Sequence, residues 1–86
     1  MAAAPKKDPD LSTYSGRFAA RLRALRESTG MSGQEFAKAL VSAGYQIAER
    51  TYYRWETGVA EPPYDALPVL AKLLKQSSPR LLFPSK

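Results

Sequence analysis

The chain has 86 residues, no cysteine, no histidine, and 13 basic against 8 acidic side chains. That length suits one small domain with a modest core. The missing residue types exclude disulfides, thiolate metal sites and histidine-based acid–base catalysis.

The eight carboxylates are scattered, so no metal site is expected. No glycine-rich phosphate loop or nucleophile motif appears, so no cofactor is expected and serine or lysine chemistry has no motif behind it. The chain does not read as an enzyme. No apolar run approaches the roughly 20 residues that cross a bilayer, and no membrane partner is expected. Met1 to Asp8 leads into no apolar stretch and does not read as a signal peptide. A cytoplasmic setting fits best. Positive charge is concentrated in two places: four arginines against one glutamate in residues 16–30, and four basic against two acidic residues in 61–86. Such a surface attracts a polyanion, although charge alone also fits an ordinary solvated face.

Residues 1–14 carry Pro5, Pro9 and mixed charges with little apolar material, and are expected to form a flexible arm. Lys6 and Lys7 could reach a DNA groove from it, or simply belong to a solvated tail. A first helix is expected over Ser15 to Ser28, with Phe18, Leu22 and Leu25 on one stripe. Arg17 and Arg21 fall on its polar side, and Gly30 stops it. The second helix has a complete start signal. Ser32 and Glu35 make a capping box, flanked by Met31 and Phe36 as a hydrophobic staple. Its apolar side continues through Ala37, Leu40 and Val41 to a stop at Gly44, where Tyr45 folds back on Leu40.

A third helix is expected over Ala48 to Thr57, ended by Gly58. Ala48 offers no side-chain acceptor, so its start is poorly capped. Ile47, Thr51, Tyr52 and Trp55 would face inward, and Glu49, Arg50, Tyr53 and Arg54 outward. After the break at Glu61-Pro62-Pro63, a fourth helix is expected over Asp65 to Gln76, with Pro68 in its first turn. Leu67, Leu70, Ala71 and Leu74 form its apolar side. Pro79 opens a last short turn carrying Leu81, Leu82 and Phe83. The expected fold is all-α: a compact bundle of about five short helices, without strands.

Four pieces of this order resemble one family. Met31-Ser-Gly-Gln-Glu-Phe-Ala-Lys-Ala-Leu40 resembles the second helix of the phage-repressor (Cro/C1, or XRE-type) helix-turn-helix family. Ile47-Ala-Glu-Arg-Thr-Tyr-Tyr-Arg-Trp-Glu-Thr-Gly58 resembles its third helix with the W-E-x-G ending. Leu22-Arg-Ala-Leu-Arg26 resembles its first helix, and Pro63 to Leu74 its fourth. The resemblance covers Gly16 to Phe83 and implies a lambda-repressor-like domain over residues 15–86. The chain departs from the family's pattern in having extra residues around Val41 to Tyr45. A second helix extended to Gly44 accommodates them; a tilted third helix is the alternative.

The resemblance also implies roles. The third helix would lie in the major groove, with Glu49, Arg50, Thr51, Tyr53 and Arg54 at base edges. Arg can donate twice to guanine, and Glu can accept from cytosine. Ser32, Gly33 and Gln34 would meet phosphate at the start of the second helix, with Arg17 and Lys38 as further phosphate contacts. Gly33 stands where the family commonly has Gln. Arg26 and Glu56 match positions that form a structural salt bridge. Leu81, Leu82 and Phe83 would either join two copies or seal the chain's own core. The implied function is a DNA-binding transcriptional regulator, a repressor, working as a homodimer on a palindromic double-stranded operator in the cytoplasm, at the nucleoid. The alternative is a protein-interaction module on the same fold, an antitoxin or antagonist with a protein partner.

Overall fold

Thr13 starts the first helix. Its hydroxyl accepts from the Gly16 N–H at 2.9 Å, satisfying one of the donors that a helix start leaves unpaired. Helix α1 then spans Tyr14–Ser28, one residue earlier than its sequence pattern predicts. The computed structural model describes residues 9–84, so Lys6 and Lys7 lie outside the described residues.

Helix α2 spans Gly33–Ser42 and is fixed at both ends by its own sequence. Ser32 Oγ accepts from the Glu35 N–H at 3.1 Å, and the Glu35 carboxylate accepts from the Ser32 N–H at 2.8 Å. At the other end the Gly44 N–H donates to Val41 and the Tyr45 N–H to Leu40, both at 2.9 Å. This pairing needs a left-handed residue, and Gly44 supplies it at φ 98° without the penalty a side chain would bring. The extra residues between α2 and α3 are anchored rather than loose. Tyr45 and Ile47 pack against the core, and the Tyr45 hydroxyl donates to Asp65 at 3.1 Å.

Helix α3 spans Glu49–Thr57, between an uncapped Ala48 and a left-handed Gly58. Its inner side is Tyr52, Trp55 and Glu56, all buried. Thr51, expected inward, is exposed. Tyr52 and Trp55 set the direction of the core. At roughly 100° per residue, Thr51 falls to the side of that direction.

Helix α4 spans Leu67–Leu73 and is shorter than expected at both ends. Tyr64–Ala66 forms a 3-10 turn instead of helix. The cause is Pro68, which has no N–H to give to the Tyr64 carbonyl; the Leu67 N–H takes that carbonyl in its place. At the far end Lys75 adopts φ 61° and closes the helix, with the Gln76 N–H donating to Ala71 at 2.8 Å. The last expected helix is only a 3-10 turn, Pro79–Leu82, so four α-helices, not five, occur among the described residues. No strand occurs among the described residues.

Helices α1 and α2 both pack on α3, and α4 closes the bundle against α2. One core joins Phe18, Leu22, Phe36, Leu40, Tyr52, Trp55, Leu70 and Leu74. Leu82 enters it as a wholly buried side chain, and Arg21 Nε holds its turn by donating to the Leu81 carbonyl at 2.9 Å. Leu82 therefore serves the chain's own core, while Leu81 and Phe83 stay exposed. No helix among the described residues is long and apolar enough to cross a membrane.

Candidate nucleic-acid interface

The orientation of α3 depends on a buried brace. Arg26 Nε donates to Glu56 Oε2 at 2.6 Å and Arg26 Nη2 to Glu56 Oε1 at 2.9 Å, a two-pronged pairing. Arg26 Nη1 donates to the Met31 carbonyl at 2.9 Å. One guanidinium thus ties α1 to α3 and to the residue leading into α2. Arg26 is 5% exposed and Glu56 0%. The hydrogen bonds to Glu56 hold the Arg26 pKa above its ordinary value, with burial opposing them. Arg23, which the sequence reading passed over, lies beside the brace. Its Nε is 3.8 Å from Glu56, and its Nη2 donates to the Glu56 carbonyl at 3.4 Å. Its position three residues before Arg26, on the same side of a helix, was the available signal. The Tyr52 hydroxyl is buried nearby without a hydrogen-bond partner among the described residues. Burial first, and then the Glu56 charge, push its pKa far above the usual phenol range.

The brace leaves one side of α3 outward. At roughly 100° per residue, Arg50 and Arg54 lie roughly 160° from Tyr52, one on each side, opposite the core. Both are exposed, and neither side chain makes an ion pair or hydrogen bond among the described residues. They sit one turn apart and form a single cationic ridge. Glu49 and Tyr53 share one flank, and exposed Thr51 lies on the other. Glu49 occupies the first turn of a helix without a side-chain cap, where a carboxylate favours the positive helix end.

The start of α2 lies beside this ridge, and there the arrangement differs from the sequence reading. Gly33 is buried, because the Tyr53 side chain covers it. The capping box uses the Ser32 and Glu35 N–H groups and brings a carboxylate to the helix start. The Gly33 and Gln34 N–H groups take no part in the capping box, and of the two residues only Gln34 is exposed. Gln34 is exposed, and exposed Lys38 follows one turn later on the same side. Arg17 is not part of this group. Its neighbour Gly16 meets Gly58 at the opposite end of α3. Arg17 Nη1 donates to the Leu11 carbonyl at 3.1 Å, and its guanidinium stands 5.8 Å from the centre of the Tyr14 ring.

The brace thus joins α1, the entry to α2, and α3, and α3 carries the outward cationic ridge. The sequence model of one family, described as a helix-turn-helix domain, matches residues 17–82. The chain belongs to the helix-turn-helix domain family. No curated protein and no solved structure matches the chain closely enough to count as a relative. A helix-turn-helix domain supports a DNA-binding regulator in general terms. In this helix-turn-helix domain α2 and α3 are the central pair, and α3 carries the exposed Arg50–Arg54 ridge. Among the described residues no group of His, Cys, Asp or Glu could hold a metal ion.

Proposed function

We propose that the chain is a sequence-specific regulator of transcription, a repressor, that reads the major groove of double-stranded DNA with α3. The observation that carries this reading is the Arg50–Arg54 ridge, exposed opposite the core on a helix whose orientation is set by Arg26 and Glu56. Arg50 is the main base reader, donating two hydrogen bonds to guanine. Arg54 reads a base or holds a phosphate, and Glu49 accepts from cytosine or excludes wrong sequences. Thr51 contacts the groove edge. Gln34 and Lys38, exposed on one side of α2, position the domain on the phosphate backbone. The regulator acts in the cytoplasm, at the nucleoid, as a homodimer on a palindromic operator. Leu81 and Phe83 supply the exposed apolar side chains at the dimer contact.

Salt tests this reading. Binding of the chain to a mixed-sequence duplex, followed by fluorescence anisotropy from about 50 to 200 mM salt, should weaken steeply as counterions are no longer released at a gain. Binding that is absent at low salt, or indifferent to salt, would count against DNA.

One observation favours the second reading, a protein-interaction module. A groove of about 420 Å³ lies between the start of α1, residues 61–67 and Phe83, lined by Tyr14, Phe18, Tyr64 and Phe83 among others. Tyr64 is 91% exposed there. Apolar surface of this kind marks contact sites for other proteins.

A further inference from the structure

Gly33 has no conformational reason to be glycine. It is the first residue of α2, a position where glycine helps the helix less than alanine would. Its φ is not in the left-handed region, unlike those of Gly30, Gly44 and Gly58. What distinguishes it is close approach. A Cβ built on Gly33 would lie 2.7 Å from Tyr53 Cε1 and 3.1 Å from both Tyr53 Cζ and Oη. No real Cβ tolerates the first of these distances, so any other residue at 33 displaces the ring.

We infer that Tyr53 is a positioning residue for α3, seated on the bare backbone of Gly33, and not a reader of bases; the inference rests on the DNA-binding reading above. The ring is the outermost of an aromatic series that joins the two helices. Tyr53 lies 6.4 Å from Tyr52, and Tyr52 lies 5.2 Å from Phe36 of α2, between ring centres. Two of its three members, Phe36 and Tyr52, are core, and the last wedges the two helices at the end nearest the DNA. The seat sets how far the start of α3 stands from the start of α2. That spacing sets the register between the Arg50–Arg54 ridge and the phosphate contacts at Gln34 and Lys38. A displaced ring would swing toward the outward side of α3, beside Arg50. The predicted loss is therefore in recognition more than in folding.

The test uses the duplex that the native chain selects from a random pool, and a scrambled duplex of equal length. Tyr53→Phe keeps the ring seated and should leave both the preferred sequence and the ratio of the two affinities within twofold. Gly33→Ala should lower the ratio about tenfold, the size expected of a pair in direct contact. Tyr53→Ala should lower it too. In the Tyr53→Ala background, Gly33→Ala should add less than twofold, because the clash is gone. Thermal melts of each variant keep a folding defect separate from a recognition defect. Independent, multiplying effects of Gly33→Ala and Tyr53→Ala would overturn the inference while leaving the DNA-binding reading intact. So would a lost preference at a single base pair in Tyr53→Phe or Tyr53→Ala. Failure of the native chain to select any duplex would overturn both.

Discussion

Helices α2 and α3 begin in opposite ways. Helix α2 carries its own start in five residues: a serine cap, a glutamate returning the bond, and Met31 packed on the core before them. Helix α3 begins at Ala48 with no side-chain bond at all. Its hold comes instead from Tyr52, Trp55 and Glu56, which are buried, with Arg26 gripping Glu56 from α1. The difference separates two jobs. Helix α2 is a locally specified strut. Helix α3 is oriented from a distance, which leaves Glu49, Arg50 and Thr51 at its start exposed.

Cutting the distant hold should have the largest effect. Glu56→Ala leaves the Arg26 guanidinium buried without its partner and should destabilise the domain by about 3–5 kcal/mol. In a thermal melt the midpoint should fall by roughly 10 °C or more. The double change Arg26→Met with Glu56→Leu removes both charges and should recover most of that loss. A melt of Glu56→Ala close to the native one would mean that α3 is held otherwise. Cutting the local hold should cost less. Ser32→Ala should lose about 1 kcal/mol, read from urea unfolding. The smallest effect sharpens the contrast by removing it. Ala48→Ser gives α3 the cap it lacks and should add a few tenths to 1 kcal/mol. No gain there would show that the start of α3 is already satisfied by other means.

The same contrast explains what could be read in advance. The capping box at Ser32 and Glu35 and the stop at Gly44 are local patterns, and both ends of α2 were legible, although the helix closes at Ser42 and Val41, expected on its apolar side, is exposed. Arg26 and Glu56 are 30 residues apart and were matched only through a family resemblance, yet they sit 2.6 Å apart. Helix α4 was legible in its buried residues Leu67, Leu70, Ala71 and Leu74 but not in its limits. Its start depends on a hydrogen bond that Pro68 cannot make, and its end falls on a left-handed lysine, a residue that sends no stop signal. Thr51 was misassigned because an inward stripe on a nine-residue helix can be drawn two ways until the core direction is known. In the candidate site, the outward positions of Arg50 and Arg54 were legible from spacing. The covering of Gly33 by Tyr53 was not, because it is a contact across two helices that neither segment encodes alone.

The most direct test of the central claim is selection of duplexes from a random pool by the native chain and by Arg50→Ala, read by sequencing. The account predicts that the native chain enriches a two-fold-symmetric site. It further predicts that Arg50→Ala loses one base preference in each half, a discrimination of about 1–3 kcal/mol. Enrichment that is identical with and without Arg50, or none at low salt, would contradict it.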